Sequence, residues 1–90
     1  MEREQLIIEK MPLVDKVYNK NFRNSYFYID KDDLIQEGYI GLINGIDTYN
    51  DKKGKLNSYL YICIKNRMIN YCNKVFKYKN EISLDEIIKD

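Results

Sequence analysis

Three glycines interrupt the most regular helical pattern of the chain and limit what that segment can pack against. Apolar residues recur at helical spacing across residues 34–46. The same stretch contains Gly38, Gly41 and Gly45. Each glycine costs a helix about 1 kcal/mol relative to alanine. Because their spacing places them close to one stripe, we predict that another backbone approaches the helix along these glycines.

The residues before this helix also follow a helical period. We predict a first helix over residues 4–18, either kinked or divided at Pro12, because a proline removes a backbone hydrogen bond. An irregular stretch, residues 19–31, should follow it. Four of its side chains are candidates to cover the core: Tyr26, Phe27, Tyr28 and Ile29.

The later elements are predicted from capping and turn residues. The central helix should begin at an N-cap, Asp32 or Asp33, and end near Asp47. Residues 49–55 form a predicted turn, and Asn57 or Ser58 should cap a third helix that runs to residue 76. No strand pair is indicated, so the predicted fold is all-α, a compact bundle of about three to four helices.

Length and apolar patterning limit the class of protein. A chain of 90 residues makes one domain, which we assign to residues 1–80, with residues 81–90 as an acidic tail or the start of a linker. No stretch approaches the ~18 consecutive apolar residues of a membrane helix, and the N-terminal MEREQ carries acids where a signal peptide carries bases. We therefore expect a cytoplasmic protein with no membrane partner.

The two cysteines lie in the predicted third helix. Cys63 and Cys72 are nine residues apart, which places them roughly 13 Å apart on opposite faces. They can form neither a disulfide with each other nor a shared metal site there. We expect buried free thiols.

Charge is distributed unevenly, although the net charge of the whole chain is only +1. Residues 1–51 hold six Lys and Arg against ten Asp and Glu, and residues 80–90 hold one Lys against four acids. Residues 52–79 hold eight Lys and Arg and no acid. An acid-free basic block of this length is either a nucleic-acid surface or a solvated helix face.

The sequence argues against catalysis. It has no histidine, the commonest general base and metal ligand, and it matches no P-loop, dinucleotide motif or nucleophile elbow. Acidic residues cluster around residues 30–37, but Leu34 and Ile35 occupy positions where an EF-hand loop needs an oxygen ligand and a glycine. We therefore expect a non-enzyme with no catalytic residues, no cofactor and no metal.

Tyrosines interleave with the cations of the basic block. Cations neutralise phosphates, and aromatic rings stack on unpaired bases, so this composition is typical of a surface for single-stranded nucleic acid. In the alternative interpretation, about half of the tyrosines fill the core. We expect only one of Tyr59 and Tyr61 to point to solvent, because nearby odd positions of a helix face different ways. The residues of the pattern are Lys52, Lys53, Lys55, Lys65, Arg67, Lys74, Lys77 and Lys79 with Tyr59, Tyr61, Tyr71 and Tyr78.

Two runs resemble region 2 of the sigma-70 family of RNA polymerase sigma factors. The run DDLIQEGYIGLINGIDTYN (residues 32–50) is similar to the family pattern D-L-I-Q-E-G-x-I-G-L. The run GKLNSYLYICIKNRM (residues 54–68) resembles F-S-T-Y-A and a half-helix ending in I-R. With PLVDKVY (residues 12–18) upstream, the likeness covers roughly residues 6–73, and ISLDEII (residues 82–88) resembles the segment with which many alternative sigma factors leave this domain.

The resemblance implies two partners. One helix would dock on the clamp coiled coil of the largest subunit of core RNA polymerase, and the implied polymerase-binding residues are Asp33, Gln36, Glu37, Tyr39 and Ile43. The next helix would hold the melted nontemplate strand of the minus-ten promoter element, with a flipped adenine on Tyr59, Lys65 as the basic residue and Asn66 facing the upstream edge. The implied DNA-binding residues are Lys55, Asn57, Ser58, Tyr59, Ile62, Lys65, Asn66 and Arg67.

The chain departs from primary sigma factors at two tryptophan positions, which here are Ile62 and Cys63, and it lacks an aromatic residue shortly after the turn glycine. An alternative sigma factor with weaker melting is therefore implied. No second helix-turn-helix domain for the minus-thirty-five element is present, so we expect a fragment of a longer factor or a separate partner that carries region 4. An anti-sigma factor is a further implied partner.

Two other functions fit the same residues. A sigma-like interaction module would occupy the polymerase clamp without reading DNA, so that Gln36 and Glu37 matter while Tyr59 does not. A helix-turn-helix protein would bind duplex DNA, but the turn at residues 49–55 is long for that motif.

Overall fold

The computed structural model describes residues 2–23 and 29–80, with side chains as far as Lys77. Within these residues, α1 spans Arg3–Asn21, α2 spans Lys31–Thr48 and α3 spans Leu56–Asn80. A short 3-10 turn, Asp51–Lys53, joins α2 to α3. All regular structure in the described part of the chain is helical, which confirms the predicted all-α bundle. Predictions for Tyr26, Phe27, Tyr28 and the tail at residues 81–90 lie outside the described residues.

Helix α1 is one continuous helix through Pro12, so neither a division nor a second helix is needed there. Pro12 lies on the exposed side of α1. The backbone carbonyl of Ile8 has no helical donor at this proline, and because Ile8 is also exposed, the missing hydrogen bond falls on the solvent side of α1.

The predicted helix starts are wrong by a few residues. The N-cap of α2 is Asp30, whose side chain accepts a hydrogen bond of 2.8 Å from the backbone N–H of Asp32. Asp32 and Asp33 lie instead in the first turn of α2, where the helix dipole favours negative charge. Helix α3 begins at Leu56, so Asn57 and Ser58 are also first-turn residues and not caps.

The core is built around α3, whose buried residues recur at every fourth position. A step of four residues advances about 400° around a helix, so this buried stripe winds slowly around α3 and meets both other helices. Helix α2 packs mainly against α3, and α1 covers both. Ile29 is buried, as predicted for a side chain that covers the core. The buried stripe of α3 comprises Leu60, Ile64, Met68, Cys72 and Phe76.

Gly38, Gly41 and Gly45, which we call the glycine stripe, form the surface of α2 that contacts its neighbours, as predicted. A Cβ added at Gly41 would stand 2.9 Å from the Cys63 carbonyl oxygen and 3.1 Å from the Ile64 Cα, both in the backbone of α3. At Gly45 it would stand 2.9 Å from a Leu60 methyl group. The backbone of α3 therefore occupies the space that any larger side chain at position 41 would need.

The cysteines are both free, as predicted. Cys72 is buried, and this burial raises the pKa of its thiol to about 12. Cys63 is half-buried in the α2–α3 contact, so the prediction of a buried thiol is wrong at this position. No helix in residues 2–23 and 29–80 combines the length and apolar character that a membrane span requires.

Replacing Gly41 by Ala tests the packing of α2. Alanine is the better helix former, but its Cβ meets the backbone of α3, which cannot rotate away, so we expect the free energy of unfolding to fall by about 1–3 kcal/mol. Chemical denaturation monitored by circular dichroism measures this change. The control is Asn44→Ala on the exposed side of α2, which should leave stability unchanged or raise it. Equal effects of the two substitutions would contradict the packing account.

The buried Cys72 thiol predicts a loss of stability in alkaline solution. The unfolded chain loses this proton near the ordinary thiol pKa, whereas the folded chain keeps it to about pH 12. The stabilising contribution is therefore present at neutral pH and declines as the pH rises above about 9. We expect the free energy of unfolding to fall less steeply between pH 8.5 and pH 10.5 in Cys72→Ala than in the parent, although the variant is less stable at pH 7. Parallel slopes would contradict this account.

Candidate functional site

The outer face of α2 carries a stripe of exposed and half-exposed side chains. At about 100° per residue, Gln36, Ile40 and Ile43 point away from the glycine stripe and from the core. Asp33 begins the stripe near the N-terminus of α2, and Asp47 ends it. We call these five residues the α2 stripe. The structure thus places three predicted polymerase-binding residues, Asp33, Gln36 and Ile43, on one face, and it adds Ile40, which sequence reasoning missed.

The other two predicted polymerase-binding residues flank the α2 stripe on opposite sides. Tyr39 is half-buried and packs against the core. Glu37 turns toward α3 and accepts a hydrogen bond from an α3 side chain. At the far end of the stripe, Asp47 is paired with Arg3, whose Nε lies 2.6 Å from a carboxylate oxygen and lowers the pKa of that carboxyl.

The outer face of α3 presents three of the predicted DNA-binding residues at helical spacing. Tyr59, Ile62 and Asn66 follow one another at steps of three and four residues. Ile62 is 56% exposed, and among the described residues it is the exposed large apolar side chain that lies on α3. Lys65 is half-buried beside them. The exposed Lys55 lies just before the first turn of α3.

Asn57, Ser58 and Ile62 also line a shallow groove of about 410 Å³ between α3 and α1. Leu13 and Lys16 form the α1 side of this groove. Residues predicted for DNA binding therefore occupy two adjoining surfaces, the outer face of α3 and its groove with α1.

Tyr59 lies at the centre of an aromatic and cationic group at the start of α3. Its ring centroid is 5.6 Å from that of Tyr49, with the ring planes tilted by 51°. Lys53 places its Nζ 5.2 Å from the Tyr59 ring centroid, within range of a cation–π contact. We call Tyr49, Lys53 and Tyr59 the tyrosine cluster. The turn at residues 49–55 creates it by folding the end of α2 back beside α3.

Hydrogen bonds fix the Tyr59 hydroxyl in place. Thr48 donates a hydrogen bond from its Oγ1 to the carbonyl of Asn44, which leaves that oxygen to accept from the Tyr59 hydroxyl at 2.7 Å. Lys53 Nζ also donates to the Tyr59 oxygen at 3.4 Å. The ring of Tyr59 remains half-buried, with its hydroxyl end anchored to α2.

Tyr61 is half-buried as well, on the side of α1. Its hydroxyl accepts a hydrogen bond of 2.8 Å from the side-chain amide of Asn21. The prediction that only one of Tyr59 and Tyr61 points to solvent is therefore wrong, because both rings pack against the core and both hydroxyls are held by other elements. The partners of the two hydroxyls lie 11 and 40 residues away in the chain.

Arg67 is turned away from the outer face of α3 and toward α2. Its Nε donates a hydrogen bond of 2.9 Å to the Glu37 carboxylate, and the two side chains are 42% and 25% exposed. A predicted DNA-binding residue and a predicted polymerase-binding residue thus contact each other. They line a groove that continues along α3 past Asn70, Tyr71 and Lys74.

Negative potential from the start of α2 reaches this groove. Burial raises the pKa of the Tyr71 hydroxyl, and the nearby carboxylates of Asp33, Glu37 and Asp30 raise it further. In the part of the chain that the structure describes, no three His, Cys, Asp or Glu side chains are grouped so as to hold a metal ion.

Comparison with known proteins places this arrangement in a family. The family model described as Sigma-70 region 2 matches residues 8–75. The chain belongs to the sigma-70 region 2 family. This region 2 domain is 37% identical over 87 residues to the RNA polymerase sigma-28 factor of Bacillus thuringiensis subsp. kurstaki, a match that covers 96% of the domain and 35% of the relative.

A second relative gives a similar match. The region 2 domain is 38% identical over 85 residues to the RNA polymerase sigma-E factor of Clostridium acetobutylicum, covering 93% of the domain and 35% of the relative. The chain therefore spans about a third of the length of these curated relatives. No solved structure matches it. These findings confirm the family that the motif at residues 32–50 predicted.

Proposed function

We propose that this region 2 domain acts in transcription initiation by binding core RNA polymerase and by recognising and melting the minus-ten promoter element. In this proposal, α2 docks on the clamp coiled coil of the largest subunit, and the N-terminal half of α3 holds the nontemplate strand. The observation that carries the proposal is the tyrosine cluster, which stands at the start of an acid-free basic helix.

The α2 stripe supports polymerase docking. It combines half-exposed isoleucines, Ile40 and Ile43, with the acid Asp33 and the amide of Gln36. Apolar side chains beside a carboxylate and an amide suit a helical partner that carries basic side chains. The stripe also points away from α3, so docking there leaves the outer face of α3 open to DNA.

The tyrosine cluster supports binding of an unpaired base. A base that stacks on an aromatic ring gains about 1–3 kcal/mol, and Lys53 and Lys55 supply positive charge for the adjoining phosphates. Because hydrogen bonds already hold the Tyr59 ring, little conformational entropy is lost when a base binds. This preorganisation favours a flipped base over a base in a duplex, whose faces are covered by its neighbours.

A second candidate function is an interaction module that occupies the polymerase clamp without reading DNA. The observation in its favour is the half-buried Tyr59 with its partnered hydroxyl, since these contacts would give the residue a purely structural role. The two functions make different predictions for Tyr59, whereas both require the α2 stripe for polymerase docking.

For DNA, the informative change is Tyr59→Ala compared with Tyr59→Phe. We expect Tyr59→Ala to weaken binding of a short AT-rich single-stranded oligonucleotide by about tenfold or more, because the stacking surface is lost. Tyr59→Phe keeps the ring and removes the hydrogen bond to Thr48, so it should cost stability of about 1 kcal/mol and little DNA affinity. Fluorescence anisotropy measures the affinity, and thermal unfolding measures stability.

The matched control for that experiment is Thr48→Val, which removes the same hydrogen bond and leaves the Tyr59 ring intact. It should behave like Tyr59→Phe. If DNA affinity follows stability across all three variants, Tyr59 is structural and the interaction module is the better account.

For polymerase, the informative change is the double substitution Gln36→Lys with Ile43→Ser. It adds a positive charge to the α2 stripe and removes an apolar contact while leaving the Glu37–Arg67 pair intact. We expect the affinity of the domain for core RNA polymerase to fall about tenfold or more, because the added lysine meets basic side chains of the partner.

Surface-plasmon resonance with purified core enzyme measures this loss, and Asn66→Lys provides the control. Asn66→Lys adds the same charge to the outer face of α3, so it should leave polymerase affinity within about twofold of the parent. A well-folded parent that does not bind core enzyme would refute polymerase docking. Equal loss in the control would show a general charge effect.

A further inference from the structure

The ion pair between Glu37 and Arg67 joins two residues that the proposed function assigns to different partners. It links α2 and α3 across 30 positions of the chain. Arg67 belongs to the basic block. Among the described residues, it forms an ion pair with a carboxylate of the protein itself.

The glycine stripe explains why the two side chains meet. A Cβ added at Gly41 would stand 2.9 Å from the Arg67 Cβ, so the base of the arginine lies directly on α2. Glu37 is one helical turn before Gly41 on the same side of α2. The arginine side chain therefore extends along α2 toward Glu37 before it can reach the outer face of α3.

We propose that Glu37 restrains Arg67 in the free protein and that docking of polymerase releases it to contact a DNA phosphate. This inference rests on the proposed function and adds a coupling between its two surfaces. The Glu37 carboxylate is the positioning group, and its alternative partner is a basic side chain on the docking surface of polymerase.

The Glu37–Arg67 ion pair is suited to an exchange of partners. Only one hydrogen bond joins the two groups, and it uses the Nε of Arg67. The Arg67 side chain is 42% exposed at a groove that Asn70 and Lys74 also line, so a phosphate can approach it without unfolding the helices. The Glu37 side chain is 25% exposed, which leaves it accessible to a cation that docks beside Gln36. A partly exposed pair of this kind has a small net stability, so a competing charge on either side can open it.

The decisive variant is Glu37→Gln in the 90-residue chain without polymerase. Glutamine keeps the shape and a neutral acceptor for Arg67 but removes the competing charge. We expect binding of a fluorescent AT-rich single-stranded oligonucleotide at low salt to tighten about threefold. The dependence of log affinity on log salt concentration should become steeper by roughly 0.7, the value for one added phosphate contact on a single strand.

The matched control is Asp33→Asn, which removes the same charge from the same helix without freeing a cation. It should tighten DNA binding less than Glu37→Gln does and leave the salt slope unchanged. In an Arg67→Gln background, Glu37→Gln should have no effect on DNA affinity, because the restrained group is gone. Equal gains in Glu37→Gln and Asp33→Asn, or a gain that survives Arg67→Gln, would overturn the inference.

A second measurement tests the release by polymerase. With core enzyme present at saturating concentration, the parent and Glu37→Gln should bind the oligonucleotide with the same affinity. A threefold advantage that persists in the complex would show that polymerase does not take up Glu37.

The two proposals fail in different ways. If the parent binds both polymerase and DNA but Glu37→Gln changes neither DNA affinity nor salt slope, the restraint is absent and the proposed function stands. If neither the parent nor Glu37→Gln binds single-stranded DNA at low salt, with or without polymerase, DNA recognition and the restraint are both refuted.

Discussion

The close approach of α2 and α3 along Gly41 and Gly45 determines where every candidate functional group lies. Three glycines in α2 cost about 3 kcal/mol of helix propensity, and burial of the apolar stripe of α3 offsets this cost only if α3 sits directly on α2. That contact places Arg67 within reach of Glu37 and brings Thr48, one turn after Gly45, to the Tyr59 hydroxyl. Both of these polar contacts between α2 and α3 are therefore consequences of the same backbone packing.

The same packing keeps the acidic and basic parts of the chain from neutralising each other. The α2 stripe points away from α3, so its acids lie on a different side of the bundle from the outer face of the basic helix. Glu37 lies at the boundary between the two faces. In the described part of the chain, it forms the ion pair between α2 and α3, with Arg67. Separate faces on adjacent helices are what the proposed docking of a basic protein surface on α2 and of single-stranded DNA on α3 requires.

Apolar periodicity predicted the three helices, and the spacing of the glycines predicted the close contact along them, because both depend on residues close together in the chain. Gln36, Ile43 and Asn66 were singled out instead by the family resemblance. The start of α2 was misplaced because Asp30, Asp32 and Asp33 are all good capping residues, and only the backbone decides among them. The partners of Tyr59, Tyr61 and Arg67 could not be predicted, since each lies on another element. Tyr49 was missed, and Lys53 was predicted only as one cation of the basic block, for a related reason: the turn that brings both residues to Tyr59 has no helical period.

The two positions where primary sigma factors carry tryptophan have different physical meanings in this structure. Cys63 faces α2, and its Sγ lies 3.2 Å from the place a Gly45 Cβ would occupy, so a large ring there would compete with the helix contact itself. Ile62 points outward and is more than half exposed, next to Tyr59 and Asn66 on the outer face of α3. The weaker promoter melting that the resemblance implies is therefore explained by Ile62. A tryptophan at this exposed position would be able to reach nucleic acid. The small side chain at Cys63 instead allows α2 and α3 to approach closely enough to hold Tyr59 in place.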